Sequence, residues 1–225
     1  MTPARGAVLQ RIADLLAGGH RPHPLRVAVD GPDAAGKTTL ADELGAVLRR
    51  RGRAVVRVSV DGFLRPRRER SASGAFSPHG YYHGAFDVDL LVESVLRPLR
   101  AGGARMIRGH VYDYATDTRT VGDPVHVDEG AVVIVDGVFL QRPELTSDWD
   151  VVVYVDVSEG ETLRRARPRD AEIFGSVSEV ETRYRERYLP AQRLYRDDAD
   201  PVAHAHVVVD NEDPARPVLL RCDAP

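Results

Sequence analysis

Gly31-Pro32-Asp33-Ala34-Ala35-Gly36-Lys37-Thr38-Thr39 follows the apolar run Leu25-Arg26-Val27-Ala28-Val29 and opens a segment with helical periodicity. The stretch fits the phosphate-binding loop G-x-x-x-x-G-K-[ST], here in a strand–loop–helix setting. Its glycines let the backbone curl and turn N–H groups inward as an anion nest. The helix that follows adds its positive N-terminal end. Lys37 would carry charge to β- and γ-phosphates and the Thr38 hydroxyl would hold Mg²⁺. Gly31, Asp33, Ala34, Ala35, Gly36, Lys37, Thr38 and Thr39 are therefore the expected nucleotide-binding residues, with a nucleoside triphosphate and Mg²⁺ as cofactors.

Working outward, short β-branched runs alternate with helical patterns. Leu25–Val29 is the first strand, and Lys37–Arg51 a helix with Leu40, Leu44, Val47 and Leu48 on one face and Gly52 as its stop. Ala54–Val60 is the second strand. A long polar segment, Asp61–Phe86, then offers no obvious regular element after its first residues, which in a compact domain marks a functional loop. Asp87–Leu99 reads as a helix, and Ala104–His110 with Pro124–Val127 as a short β pair around a polar tip. Ala131–Val135 and Val151–Val155 are apolar strands. Ser158 caps a helix through Arg165, with Glu161 at capping-box spacing. Val177–Tyr195 is another helix, interrupted late by Pro190, and His206–Val209 is the last strand. Strands separated by helices mean βαβ units and a mainly parallel α/β sheet, whose ligands sit at the C-terminal strand ends.

Composition sets the outer limits. A chain of 225 residues, 43% hydrophobic, fits one α/β domain with insertions, here placed over 1–225 with its core at about 25–217. The formal net charge of -3 gives no reason to expect nucleic acid or an acidic membrane as partner. One cysteine, Cys222, excludes an intrachain disulfide and makes a Cys-based metal site implausible. Residues 1–20 read as an amphipathic helix (Val8, Leu9, Ile12, Leu15, Leu16) and not as a signal sequence. No run approaches the ~20 apolar residues of a membrane span. The default expectation is a soluble cytoplasmic protein that acts on a small molecule, with a homo-oligomer left open.

Acidic residues recur where a parallel sheet gathers its ligands. Asp61 follows the second strand, where a carboxylate can face the γ-phosphate, accept a proton from an attacking hydroxyl or bind Mg²⁺ through water. A turn cap is its plain alternative. Asp136 ends an apolar strand beside Gly137 and is a second candidate near Mg²⁺. The cluster Leu163–Asp170 carries arginines at a helix end, followed by an expected flap. Guanidinium groups that close over a transferring phosphoryl group stabilise its charge. Tyr112-Asp113-Tyr114 could stack on a planar ring. Asp87 is a plausible N-cap. His79, His83 and His110 have no metal-ligand spacing.

Together Gly31–Thr39, Val60-Asp61-Gly62-Phe63, Phe86-Asp87, Tyr112-Asp113-Tyr114 with Arg119, Asp136-Gly137, Arg164–Asp170 and His206–Pro214 resemble the uridine kinase branch of the P-loop kinases, a group related to phosphoribulokinase and pantothenate kinase. The resemblance implies a three-layer P-loop NTPase fold: a five-stranded, mainly parallel sheet flanked by helices, with a small β-hairpin and an Arg-bearing lid. It implies transfer of the γ-phosphoryl group of ATP to a hydroxyl such as the 5′-OH of a uridine- or cytidine-like nucleoside. Asp61 would then be the base and grip sugar hydroxyls or Mg²⁺. Phe86, Asp87, Tyr112 and Tyr114 would line the acceptor pocket, and Arg165 and Arg169 would belong to the lid or touch the substrate. The chain departs from that pattern at three places. Asp117 stands where the branch has a base-reading histidine, Asp136 where glutamate is usual, and Gly175-Ser176 where a further lid arginine is expected. Other acceptors, such as a pantothenate-like alcohol, a ribosyl compound or another sugar, therefore stay open. A guanine-reading switch is disfavoured, since no Asn-Lys-x-Asp motif occurs and Asp210-Asn211-Glu212-Asp213 lacks the lysine. A degenerate, merely binding homologue is disfavoured by intact Lys37, Thr38 and Asp61.

Overall fold

Six strands make the central sheet of the computed structural model, which describes residues 1–18, 21–113, 116–120 and 122–224. They are β1 (Leu25–Asp30), β2 (Val55–Ser59), β7 (Val132–Asp136), β8 (Val151–Asp156), β9 (Val207–Asp210) and β10 (Val218–Cys222), in the order β10-β9-β8-β1-β7-β2. The first five in chain order run parallel, with Val29 opposite Asp136, Ser59 opposite Asp136 and Asp30 opposite Tyr154. Five parallel strands match the expected sheet. The sixth, β10, adds an antiparallel edge on β9, with a register shift between Leu219 and Arg221.

β1 and β7 are buried along their whole length. Both faces are covered, which is why their sequences run apolar without alternation. On one face Val27, Val29, Ile134 and Val153 meet Leu9 and Ile12 of α1 (Pro3–Ala17) and Leu40 and Leu44 of α2 (Lys37–Arg50). On the other, Ala28, Val133, Val135 and Tyr154 meet Phe63, Tyr82, Phe139 and Tyr195. Tyr82 and Tyr195 come from α4 (Pro78–Gly84) and α8 (Leu189–Ala199). The result is three layers, and the crossover from β1 over β7 to β2 leaves a crevice at the carboxyl end of β1.

Three parts of the chain differ from their sequence reading. The polar segment 61–86 holds a 3₁₀ turn (Val60–Phe63), a four-residue α3 (Arg67–Arg70) and α4. Its base is pinched by a Leu64–Phe86 bridge and by the Asp87 amide donating to Phe63 O at 2.8 Å. The arginine cluster is no helix end: α6 runs from Glu159 to Phe174 through Pro168. Ser158 caps its start and Gly175, at φ 93°, ends it. The tip is two small antiparallel ribbons, β3 (Met106–Ile107) with β6 (Val125–His126) and β4 (Tyr112–Asp113) with β5 (Thr118–Arg119). The helix after the polar segment starts as α5 (Val88–Leu91) and continues through a π turn (Val92–Leu96) and a 3₁₀ turn (Arg97–Leu99). The second half of the chain adds α7 (Val177–Arg183), a π turn (Tyr184–Tyr188) leading into α8, and the short α9 (Pro201–His204). No helix among the described residues is long and apolar enough to cross a membrane.

Candidate active site

The loop after β1 curls over the strand ends. Ala34 and Gly36 both have positive φ, 57° and 90°. Gly36 is required twice over, since a Cβ there would also lie 3.0 Å from Nδ2 of Asn211. Asn211, at the end of β9 and nearly fully buried, donates to Ala35 O at 2.7 Å and holds the loop from behind. Beneath the loop, fully buried Asp30 accepts from the amides of Gly31 (2.8 Å) and Leu140 (3.3 Å), from Gln141 Nε2 (3.0 Å) and from the Tyr195 hydroxyl. Burial pushes its pKa up, against the pull of those donors.

A cavity of about 580 Å³ opens in front of the loop, lined by Ala34, Gly36, Lys37, Thr38, Thr39, Arg165, Arg169 and Asn211, with Arg5 and Pro214 at its side. Lys37 is buried and its ammonium donates to Pro32 O at 2.6 Å. Burial lowers its pKa, and four carboxylates oppose that: Asp33, Asp30, Asp61 and Asp136. Thr38 Oγ1 donates to Asp136 Oδ2 at 2.6 Å, and the other oxygen of Asp136 pairs with Arg57 at 2.7 Å. Gly137 makes the meeting of β2 and β7 close enough for this, because a Cβ there would collide with Val60 Cγ1 at 2.1 Å.

A second cavity, about 340 Å³, lies on the other side of the loop. Asp33, Asp61, Arg70, Tyr81, Phe86 and Tyr188 are among its walls. Asp61 is exposed at the cavity wall. The walls still crowd it enough for burial to raise its pKa, with Lys37 opposing and Asp33 and Asp136 adding to the rise. Arg169 borders both cavities, so one guanidinium stands between them. It is braced by Asp170 (2.6 and 2.9 Å) and by the Tyr184 hydroxyl (3.0 Å). Arg165, one helical turn earlier, donates to Ala35 O (3.2 Å) and Asn211 O (2.6 Å), and so ties α6 to the loop.

The expected site residues thus divide. Lys37, Thr38, Thr39, Ala34, Gly36 and Arg165 face the first cavity; Asp61 and Phe86 face the second. The Asp33 side chain is turned away from the first cavity. It accepts from Tyr81 (2.9 Å) and Gln192 (3.2 Å) in the wall of the second. Asp87 caps α5, accepting from the Leu90 amide at 3.3 Å, and lies near Arg65 and Arg119 at 3.7 and 3.8 Å. Tyr112 is buried beside the cavity wall; its hydroxyl donates to Asp117 and accepts from Arg70 at 3.3 Å. Asp117 also accepts from the Arg67 amide at 2.9 Å, which binds the ribbon tip to α3. Tyr114 lies outside the described residues. Sequence reasoning missed Arg57, Tyr81, Gln192, Tyr195 and Asn211, since Arg57 meets Asp136 and the others meet the loop or Asp30 only through the fold. The one available signal was Asn211 after a strand-ending Asp210. Among the described residues no group of three or more His, Cys, Asp or Glu is placed to hold a metal ion.

The model of the phosphoribulokinase / uridine kinase family matches residues 27–200. Uridine-cytidine kinase A of Dictyostelium discoideum is 32% identical over 154 residues, which is 68% of this chain and 29% of that protein. Uridine-cytidine kinase B of the same organism is 28% identical over 174 residues, covering 76% and 69%. Among solved structures, one described as a "possible uridine kinase" from Bacillus stearothermophilus superposes with a TM-score of 0.72 at 26% identity, over 90% of this chain and 98% of that one. The chain therefore spans under a third of the first relative and nearly all of the solved structure.

Proposed function

The chain belongs to the phosphoribulokinase / uridine kinase family, and from that premise we propose that it is an ATP-dependent kinase of a small hydroxylated molecule. The observation that carries the reading is the placement of Asp61 and Arg169. Two cavities flank one phosphate-binding loop; a carboxylate faces the second and a guanidinium borders both. Loop amides and Lys37 hold the phosphates of ATP in the first cavity. An acceptor hydroxyl in the second gives its proton to Asp61, whose raised pKa suits a general base. Arg169 and Arg165 stabilise charge on the group in transfer. The Thr38 hydroxyl and Asp136 offer hard oxygen donors that suit Mg²⁺ better than an all-protein cage would. When bound, the ion neutralises charge on the β- and γ-phosphates.

The names of the relatives point to a uridine- or cytidine-like nucleoside as acceptor, phosphorylated on its 5′-OH. A second reading, another small alcohol, is favoured by Asp117. It places a carboxylate, already engaged by Tyr112 and Arg67, where a base-reading ring would be expected. ADP release measured with Mg²⁺-ATP against uridine, cytidine and a panel of other alcohols tests both. Asp61→Asn is expected to lower kcat by about 10²–10⁴-fold with ATP affinity retained. Full turnover by that variant would remove Asp61 as the base.

A further inference from the structure

The acceptor cavity continues past Phe174 and Tyr188. A further chamber of about 360 Å³ shares Leu64, Arg70, Tyr81, Ile173, Phe174 and Tyr188 with it. Beyond those common walls the chamber is lined by Arg67, Arg183 and Arg187, and no carboxylate is among its described lining residues.

Arg187 is only 8% exposed. Its guanidinium carbon sits 5.3 Å from the Tyr81 ring and 5.8 Å from the Tyr188 ring, and its Nη1 donates to Ala75 O at 2.6 Å. Arg183 lies over Phe174 at 4.8 Å and Phe76 at 5.5 Å. In both cases aromatic rings cover the flat faces, a favourable place for a cation. The edges are another matter. The Nε of Arg183 and that of Arg187 are buried, and among the described residues neither has a hydrogen-bond partner. A buried guanidinium donor left unmade is costly, and so is a buried charge without a counter-charge. An oxyanion in the chamber supplies the missing counter-charge, and two oxygens on one edge of a carboxylate or phosphate match parallel N–H groups of a guanidinium.

We propose that this chamber receives an oxyanion, a carboxylate or phosphate, carried by the acceptor at the end remote from the hydroxyl that faces Asp61. The inference rests on the kinase reading above and narrows its acceptor: six common walls let one molecule fill both spaces. A neutral nucleoside brings no counter-charge to Arg183 and Arg187, so the charged members of the alcohol class are favoured over it.

Two measurements test this, one of them independent of turnover. With the first cavity filled by AMP-PNP and Mg²⁺, inorganic phosphate is titrated into the wild type, Arg183→Gln and Arg187→Gln. Saturable phosphate binding by the wild type, weakened at least tenfold in either variant, is expected. No binding, or equal binding by both variants, would overturn the oxyanion site. Arg183, half-buried, keeps the test valid should Arg187→Gln fail to fold. In the second, kcat/KM is compared within charge-matched pairs: pantothenate with pantothenol, D-glycerate with glycerol, ribulose 5-phosphate with ribulose, and uridine as a neutral reference. The charged member of at least one pair is expected to lead, and its advantage to drop at least tenfold in Arg183→Gln. Preferred use of neutral acceptors would overturn the assignment of the oxyanion to the acceptor. If no alcohol yields ADP, the kinase reading fails, and the phosphate titration alone decides the chamber.

Discussion

Asp61 and Asp30 sit on either side of the same loop, and burial raises both pKa values. The reasons to keep them differ. Asp61 faces a cavity, and a base with a raised pKa titrates nearer neutrality, where proton transfer is efficient. We expect kcat/KM to rise with pH through the raised pKa of Asp61 and then level, and the rising limb to vanish in Asp61→Asn. Stability responds in the opposite sense. A carboxyl with a raised folded pKa binds its proton more tightly folded than unfolded, so its contribution to stability falls as pH rises from the ordinary carboxylate range. Asp61→Asn should therefore raise the urea midpoint at pH 7, by an amount that shrinks toward pH 4. Asp30 is different because four donors converge on it. Asp30→Ala leaves them all without an acceptor and should cost on the order of 3 kcal/mol or more in urea unfolding. Asp30→Asn should cost less: the amide keeps one acceptor, and Gln141, whose Oε1 has no partner among the described residues, can reverse its own amide to meet the other side.

Both π turns come just before a proline, Val92–Leu96 before Pro98 and Tyr184–Tyr188 before Pro190. A proline inside a helix lacks the amide and its ring crowds the carbonyl four residues earlier, so the chain widens there. At the first, the carbonyl freed is that of Ser94, and it accepts from the Arg108 amide at 3.0 Å. At the second, the widened turn itself carries Arg187 and separates Arg183 before it from Gln192 and Tyr195 after it. Gln192 holds Asp33 and Tyr195 holds Asp30. Pro190→Ala lets the turn return to α geometry and rotates these two groups against each other. We expect the acceptor KM to rise several-fold, with the KM for ATP unchanged and the urea midpoint no lower. A proline in this place was visible in the sequence, as an interruption; that it sets a turn which aims four side chains was not, since nothing local encodes the partners. The strands show the same divide. β7 and β8 are apolar runs up to their terminal aspartates, β1 is apolar but for Arg26 and its final aspartate, and all three were legible as strands. β10 has exposed and half-buried side chains and no fully buried one, beside a proline-rich approach, and α3 and α4 are too short to display a 3.6 period. Lys37 and Thr38 were legible from the phosphate-loop motif, and Asp61 and Asp136 because strand ends collect acidic residues next to that loop. Arg57, bound to Asp136, looks in the sequence like any exposed strand arginine.

Across the whole molecule, one residue near the start of the chain joins parts far apart in sequence. Arg5 in α1 pairs with Glu43 of α2 at 2.5 Å, donates to Asn211 Oδ1 at 3.3 Å and to Pro214 O at 3.2 Å, and borders the nucleotide cavity. Asn211 in turn holds Ala35 of the loop. The first helix is thereby coupled to the phosphate-binding loop through two side chains, so nucleotide binding should stabilise α1 along with the loop. A ligand at a hundred times its Kd adds about 2.7 kcal/mol to the folded state. AMP-PNP with Mg²⁺ should raise the Tm of the wild type accordingly. In Arg5→Ala, Asn211 loses a donor and the cavity loses a wall, and the nucleotide-induced shift should shrink as affinity falls about tenfold, the ~1.4 kcal/mol of one charge-assisted contact. Glu43→Gln separates the two parts of the role. It removes the ion pair but leaves Arg5 bound to Asn211 and Pro214, so the Tm without nucleotide should drop while the nucleotide-induced shift stays at its wild-type size. Equal nucleotide shifts in wild type and Arg5→Ala would mean that α1 only packs against the sheet and has no part in holding the loop.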